Sequence, residues 1–324
     1  MYVDCMILPK NVVPSLCCIH NGLKEQGVNF NVMTYAQYKK LGKQAAMKVL
    51  ADRSYNNIKT IHSIVKECAK QGWNYRIGSN VFPLMTHPDL KFSVDDFYNA
   101  SEIYAEFRAC ADTIKQNKIR CSMHPDQFVV PASPNPKVRE NAIRDLEQHA
   151  YIMDLLDLPK TPEAPINIHM NCYNNANFSE AADRFIESYN LMSNSVRNRL
   201  VLEVEDKGKS WNTKLLYEHV YKRINMPITY DSHHHRCGNT YGNLTPEQAC
   251  DLARTTWGNH KPLFHFSNGK KSQIDRAHSD CVYQLHEELF KCPTDVDFEF
   301  KFKEQSIIEF VEKFSILGTA CTSP

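Results

Sequence analysis

The sequence predicts an α/β fold, a single (β/α)8 TIM barrel. Eight short apolar segments rich in β-forming residues recur along the 324 residues, roughly 40 residues apart. Amphipathic helical patterns lie between several of them. Eight strands that alternate with helices are typical of this barrel. Because no linker or low-complexity tract interrupts the chain, we expect one domain over residues 1–324.

The strands are predicted from runs of apolar and β-branched residues bounded by turn residues. In chain order they are PSLCCIH (14–20), NYRIGS (74–79), IRCSMH (119–124), PINIHM (165–170), RLVLEVE (199–205), MPITYD (226–231), PLFHFS (262–267) and VDFEF (296–300).

Three of the intervening helices carry recognisable start signals. Ser93 and Asp96 resemble a capping box that opens a helix running to residue 116. A second helix, 137–156, follows the proline-rich stretch PASPNP. A third begins at Thr245-Pro246, with Gln248 three residues after the threonine.

Composition excludes several classes of protein. Hydrophobic residues make up 42% and charged residues 23%, as in ordinary globular chains, and the net charge of +1 gives no global sign of nucleic-acid binding. No apolar run is long enough for a membrane span, and the first residues make a poor signal peptide. The 12 cysteines contain no CxxC spacing. We therefore expect reduced thiols, in a reducing intracellular compartment.

The carboxyl ends of the predicted strands carry histidine, aspartate or glutamate with unusual regularity. A barrel builds its active site at these ends. The loop after the second strand adds another histidine. The residues concerned are His87, His124, His169, Glu203, Asp231, His265 and Glu299.

So many ionisable groups at one end of a barrel would be costly to bury without a cation. Mixed imidazole and carboxylate ligands suit borderline or hard divalent ions such as Zn²⁺ or Mn²⁺. The run DSHHH fits this interpretation. Asp231 can bridge ions from its strand end, and one of His233, His234 and His235 can ligate from the following loop. The other two then support the ligands or contact phosphate.

The motifs resemble those of the UV damage endonucleases, metal-dependent barrels related in architecture to the endonuclease IV-type abasic-site enzymes. The resemblance extends over most of the chain, and its most specific stretches are HPDQFVV (124–130) and DSHHH (231–235). The other matching stretches are LCCIHNGLKEQGVNFNVMTY, YRIGSNVFP, INIHMN, LVLEVEDKG, HFSNGKKSQIDRAHSD and EFKFKE.

The resemblance implies a set of metal ligands, with two or three divalent ions, Mn²⁺ favoured and Zn²⁺ or Mg²⁺ as alternatives. It implies that Glu203, Asp231, Glu299 and His278 act in catalysis, and that the pair Gln127-Phe128 probes damaged bases. Plain core packing is the alternative for Phe128, since FVV is apolar. The implied ligands are His87, His124, His169, Glu203, Asp231, His234, His265 and Glu299.

The resemblance also implies the substrate and the reaction. The substrate would be double-stranded DNA with photolesions, nicked immediately 5′ of the lesion by a monomeric enzyme. Clustered ions would polarise the phosphodiester and generate hydroxide. Basic residues can hold the flanking phosphates, with solvated surface charge as the alternative for each. They are Lys207, Lys270, Lys271 and Arg276.

The sequence departs from the family pattern at three positions. A lysine expected two residues before His265 is replaced by Leu263, which strand alternation puts on the same face. This puts the third metal in doubt, and Lys261 lies too far back to substitute. A tyrosine and an asparagine expected near the lesion are Leu16 and His20, so the range of lesions can differ.

Other functions fit parts of the sequence. An abasic-site endonuclease or a metal-dependent sugar isomerase could use the same barrel, and a duplex with a pyrimidine dimer tested beside one with an abasic site separates them. A damaged-DNA binding protein that lost turnover with the change at Leu263 is a non-catalytic alternative. A structural metal site fits least, because structural zinc prefers a closed set of four ligands, often with cysteine.

Overall fold

Eight strands form the central sheet of the structure, a computed structural model that describes residues 12–172, 177–238 and 244–320. Each strand lies inside a predicted segment or overlaps it. The strands are β1 Val12–Cys17, β2 Asn74–Ile77, β3 Cys121–Met123, β4 Ile166–Ile168, β5 Leu200–Glu203, β6 Ile228–Thr229, β7 Leu263–Phe266 and β8 Thr294–Phe298.

The strand pairings are parallel, and the sheet order is β6-β5-β4-β3-β2-β1-β8-β7. The two terminal strands of this order, β6 and β7, are joined by an isolated parallel bridge between Asp231 and His265. Sequential parallel strands alternating with helices are the topology of the (β/α)8 barrel. The predicted fold class is confirmed.

Helices separate the strands. They are α1 Asn21–Glu25, α2 Tyr35–Leu41, α3 Lys43–Gln71, α4 Ala100–Gln116, α5 Pro136–Leu155, α6 Phe178–Leu191, α7 Asn194–Arg197, α8 Thr213–Leu216, α9 Lys222–Ile224, α10 Ser232–Gly238, α11 Pro246–Thr255 and α12 Glu304–Ala320. A π-helical segment, Tyr217–Tyr221, lies between α8 and α9, and short 3₁₀ helices occur at Val94–Asp96 and Glu287–Leu289.

The predicted capping signals are present, with one correction. Thr245 and Gln248 form a complete capping box at the start of α11. Ser93 and Asp96 also form one, but the 3₁₀ turn that it opens ends at Phe97, whose backbone is extended. The long helix therefore begins at Ala100 and not at Ser93.

Backbone contacts divide the chain into two compact units. Within the described residues, the first holds 12–17, 177–178, 202–238 and 244–320, and the second holds 18–172 and 179–201. In the first unit the rings of Phe298, Phe300, Phe290 and Phe310 pack around Phe266 with centroid separations of 5.2–6.2 Å. In the second, α3 and α4 pack their apolar faces together. A single domain stays a prediction.

Two further observations concern the described residues. None of their helices combines the length and apolar character needed to cross a membrane. Their ten cysteines are all free thiols, and most of them are buried.

Candidate metal centre

Four predicted ligands of the first unit lie at or just beyond the carboxyl ends of consecutive strands. Glu203 is the last residue of β5, and Asp231 follows β6 by two residues. His265 lies in β7, and Glu299 directly follows β8. Three of them are at most 1% exposed, with Glu299 half-buried. Parallel strands bring these positions to one edge of the sheet, which is why sequence position alone located them.

The side chains of these four residues meet around His265, and we call them, together with His234, the cluster. Its Nδ1 lies 3.1 Å from Glu203 Oε2 and 3.3 Å from Glu299 Oε1. The other Glu203 oxygen lies 3.1 Å from Nδ1 of His234. Two groups of three can each hold a metal ion, with ligand atoms all within 4.8 Å of one another. They are Glu203, Asp231 and His234, and Asp231, His265 and Glu299.

Asp231 belongs to both groups and has two different oxygens. Its Oδ1 accepts the backbone N–H groups of His233 and His234, each at 2.7 Å, and so caps the start of α10. Its buried Oδ2 has no hydrogen-bond partner among the described residues. A buried oxygen without a partner is costly. It is therefore suited to receive a cation, and its place in both groups agrees with the predicted bridging role.

The three consecutive histidines lie on a helix and not in a loop, which corrects the sequence-based expectation. Helix α10 spans Ser232–Gly238, so successive side chains diverge by roughly 100°. His234 points to the carboxylates, while His233 lies 3.7 Å from Sγ of Cys237. His235 packs on the ring of Tyr230. Only the middle histidine therefore reaches the cluster, as the predicted ligand His234 requires.

The charges of the cluster act strongly on its imidazoles. Burial lowers the pKa of His265, but the carboxylates of Glu203 and Glu299 outweigh it and raise this pKa to about 9. Burial also lowers the pKa of His234. The carboxylates of Asp231 and Glu203 outweigh this effect and hold the pKa well above its ordinary value. Both imidazoles thus take up protons to balance the carboxylates. A divalent cation would supply the same positive charge.

Asp297 is a carboxylate of this cluster that the sequence reasoning missed. It is fully buried in β8, and its Oδ2 lies 3.5 Å from Nε2 of His265. The signal was available, because Asp297 and Glu299 are two residues apart and strand alternation points both to one face. His265 is therefore held between carboxylates on both of its ring nitrogens.

Buried polar contacts fix α10 on both sides. Arg236 forms an ion pair with Glu288 at 2.7 Å, and Glu288 also accepts the hydroxyl of Tyr230 at 3.0 Å. On the other side, Ser232 Oγ lies 2.8 Å from Nδ1 of His286. These contacts orient the helix that carries His234.

The predicted ligands of the second unit are a histidine pair and one separate histidine. His124 follows β3 and His169 follows β4, and their ring centroids are 5.3 Å apart. His87 instead stacks on Tyr35, with ring centroids 4.0 Å apart, and its Nδ1 accepts the N–H of Asp89. Among the described residues His87 belongs to no group able to hold a metal ion, so its role as a ligand stays a prediction.

The pair Gln127-Phe128 is exposed on the segment that follows His124. Phe128 is 77% exposed, so the alternative of core packing is wrong for this ring. Its neighbour Val129 supplies the buried apolar side chain of the FVV stretch. Asn171 donates to the backbone oxygen of Gln127 at 3.1 Å. The role of Gln127 and Phe128 as a probe of damaged bases stays a prediction.

Of the predicted phosphate-binding residues, Lys270, Lys271 and Arg276 lie on the loop after β7 and are exposed, whereas Lys207 is half-buried. Arg276 pairs with Asp206 at 2.5 Å. The predicted catalytic residue His278 lies at the end of this loop, with Nδ1 2.8 Å from the backbone oxygen of Glu299. Nδ1 therefore carries the proton of this hydrogen bond.

The residues at the departures from the family pattern are mostly buried. Leu263 is buried in β7, and Leu16 is fully buried in β1, so Leu16 cannot contact DNA. His20 caps α1 by accepting the N–H of Leu23. Lys261 pairs with Asp295 at 2.5 Å. It is thus held by another carboxylate, which agrees with the expectation that it does not replace the missing lysine.

Solved structures show the fold. The chain superposes on the structure named SacUVDE with a TM-score of 0.79 and 24% identity, covering 95% of this chain and 99% of the other. Endonuclease IV from Thermus thermophilus gives a TM-score of 0.55 at 13% identity, covering 81% and 95%.

Curated relatives and a family model cover nearly the same residues. A UV DNA damage endonuclease from Bacillus pumilus is 30% identical, over 88% of this chain and 88% of its own length. One from Nostoc is 28% identical, over 93% and 90%. The family model described as "UV-endonuclease UvdE" matches residues 15–321. The chain therefore belongs to the UV-endonuclease UvdE family.

Proposed function

We propose that this chain is a metal-dependent DNA repair endonuclease that nicks the backbone of double-stranded DNA immediately 5′ of UV photolesions. One observation carries the proposal: a chain of the UV-endonuclease family brings the buried Glu203, Asp231 and His265 together with the half-buried His234, with ligand atoms at metal-binding separation. Pyrimidine dimers are the primary lesion, and abasic sites are a second candidate.

The donor set fits divalent cations. The groups offer imidazole nitrogens and carboxylate oxygens without cysteine, which suits Mn²⁺, Zn²⁺ or, less well, Mg²⁺. Two features support a bound cation: Oδ2 of Asp231 accepts no hydrogen bond among the described residues, and the pKa of His265 is raised. We propose two or three ions, with Mn²⁺ as the first choice. The family resemblance adds His124, His169 and His87 to the ligands.

Divalent ions held there would polarise the scissile phosphodiester and supply a hydroxide nucleophile. Asp231 orients the centre, because its other oxygen is fixed by the start of α10. Glu203 and Glu299 supply negative charge at Nδ1 of His265, and Asp297 supplies it at Nε2. With Nδ1 of His278 bonded to the Glu299 carbonyl, its Nε2 is the nitrogen left to act on the phosphate or a ligand.

Recognition is assigned to residues outside the cluster, all of them exposed except the half-buried Lys207. Gln127 and Phe128 would fill the gap that a displaced lesion leaves in the base stack. Lys207, Lys270, Lys271 and Arg276 would bind flanking phosphates. We propose a monomer of one domain, acting in a reducing compartment with access to DNA, where the free cysteines remain thiols.

The test combines metal analysis with a nicking assay. The purified protein is stripped with chelator, reloaded with Mn²⁺, Zn²⁺ or Mg²⁺, and given duplexes carrying one pyrimidine dimer, one abasic site or no lesion. We expect nicking 5′ of the dimer that depends on added metal. Nicking only at the abasic site would favour an abasic-site endonuclease, and metal-dependent binding without nicking would favour a damaged-DNA binding protein.

The sugar isomerase alternative is tested with the same protein. Turnover of ketose sugars without any nicking of damaged duplex would replace the proposal.

A further inference from the structure

The loop between β7 and β8 presents an exposed apolar side chain among cations. Ile274, near the middle of this loop, is 70% exposed. Lys270 and Lys271 are exposed as well, and neither forms an ion pair within the described parts of the chain. We call residues 268–284 the β7–β8 loop. A single exposed isoleucine is common on protein surfaces and indicates no function by itself. The evidence for a role of Ile274 is therefore the lysines beside it and the fixed conformation of the loop that carries it.

The β7–β8 loop is held in one conformation by its own backbone. Gly269 and His278 form an antiparallel bridge, and Lys270 N–H donates to the Ala277 oxygen at 2.6 Å. The carboxylate of Asp275 accepts the N–H groups of Lys271 and Ala277, each at 3.1 Å. These bonds close the loop tightly below Ile274.

Gly269 is required by this closure. A Cβ at this position would lie 2.0 Å from the Ser272 oxygen and 2.5 Å from the Asp275 oxygen. Both atoms belong to the backbone and cannot move aside without opening the loop. The loop therefore reaches its conformation only because a residue without a side chain stands at its base.

The base of the loop is fixed to the candidate metal centre. His278 hydrogen-bonds the backbone oxygen of Glu299 at 2.8 Å, and the hydroxyl of Tyr283 donates to the Gly269 oxygen at 2.7 Å. Asn268 Oδ1 accepts the N–H of Tyr283 at 3.0 Å. Ile274 is thus presented by a loop whose two ends are anchored beside a predicted ligand.

We propose that Ile274 is an apolar wedge that enters the minor groove of duplex DNA beside the scissile linkage, while Lys270 and Lys271 bind the flanking phosphates. The inference rests on the proposed function. Proteins that bind the minor groove combine cations with apolar side chains inserted at a base step. Unpaired lysines favour a polyanion over a protein partner, and a preformed loop loses little entropy on binding.

The main test measures equilibrium binding to a duplex with one pyrimidine dimer and a non-hydrolysable linkage 5′ of it. Ile274→Ala should weaken binding roughly tenfold, because apolar groups that leave water on binding are removed. Ile274→Met, which keeps an apolar side chain, should retain most of the affinity. Leu191→Ala is the matched control, since Leu191 is exposed on α6 and has no such loop around it. The unfolding temperatures should all agree.

Salt dependence separates the wedge from the lysines. Replacing Lys270 or Lys271 with alanine should lower the slope of log affinity against log salt by about 0.9 each, as for one lost phosphate contact. Ile274→Ala should weaken binding and leave this slope unchanged. A 2-aminopurine placed next to the scissile linkage should brighten on binding of the wild type and brighten less with Ile274→Ala.

Two results overturn the inference. The first is that Ile274→Ala binds the duplex as tightly as wild type does. The second is that the 2-aminopurine signal is the same for Ile274→Ala as for wild type. Either result would show that Ile274 does not contact DNA and would favour a protein partner for this exposed side chain. Failure of the proposed function is distinguishable, because it is measured on wild-type protein, which would then not nick the dimer duplex, whereas failure of the wedge is measured by comparing Ile274→Ala with wild type.

Discussion

The buried cluster of the first unit and the Gln127-Phe128 segment of the second differ most in their contact with water. Glu203, Asp231 and His265 are at most 1% exposed, whereas Phe128 is 77% exposed. Buried carboxylates attract cations strongly because little water screens them. An exposed ring gains binding energy only when a partner covers it. The comparison assigns chemistry to the cluster and recognition to the segment.

The largest effect is expected from a change in the cluster. Glu203→Gln or Glu299→Gln should lower the nicking rate by more than roughly a hundredfold, because a neutral amide holds a cation poorly. Metal content should fall in parallel. Asp295→Asn is the control, since Asp295 is a buried carboxylate of the same β8 that pairs with Lys261. Rates within a few-fold of wild type would remove Glu203 and Glu299 from the mechanism.

The next effect concerns the support of the cluster. Glu288→Gln should lower the free energy of unfolding by about 3 kcal/mol, because it leaves the guanidinium of Arg236, whose side chain is only 16% exposed, without its carboxylate. Glu218→Gln, which breaks the exposed pair with Lys222, should leave it nearly unchanged. Urea unfolding measures both variants. Equal stability of the two would show that the Arg236–Glu288 pair contributes nothing.

A change in the exposed Gln127-Phe128 segment should affect only the recognition of damaged DNA. Replacing both Gln127 and Phe128 with alanine should weaken binding of dimer-containing duplex roughly tenfold, because base–aromatic stacking is lost. Metal content and binding of undamaged duplex should stay the same. Tyr98→Ala, another exposed aromatic, serves as control. If the double variant distinguishes dimer from undamaged duplex as well as wild type does, the predicted probe is wrong.

The smallest effect is a pH dependence of stability. Burial, with a smaller contribution from Arg236, lowers the pKa of His286 to about 3. As the pH falls below about 6.5, the unfolded chain takes up a proton there and the folded chain does not, so stability is lost. Between about pH 7 and pH 6 this group should remove about 0.7 kcal/mol. His286→Gln should reduce that slope in urea titrations. An identical slope would contradict a neutral buried imidazole.

The fold and much of the cluster were predictable because both follow from strand periodicity. A strand that ends in Glu203 or Asp231 brings that side chain to the edge of the sheet whatever else surrounds it. The missed Asp297 lies in the same β8, two residues before Glu299, and alternation alone would have found it.

The remaining features depend on packing that the sequence does not encode locally. The chain after Asp231 forms a helix because Oδ1 of Asp231 caps it. The helix is also held by contacts of Arg236 and Ser232 with Glu288 and His286, which lie more than fifty positions further along the chain. The exposure of Phe128 likewise depends on neighbours, because its apolar stretch resembles a core segment. Such features become visible only with the tertiary structure.

The bridge between Asp231 and His265 has a consequence for how the sheet closes. It joins β6 to β7, the first and last strands of the sheet order, and both of its residues are candidate ligands. A cation held by the two side chains would act as a cross-link over this seam, much as a disulfide fastens two segments. Amide hydrogen exchange at the seam would then slow on metal loading. A ligand substitution here would therefore loosen the sheet as well as alter the chemistry.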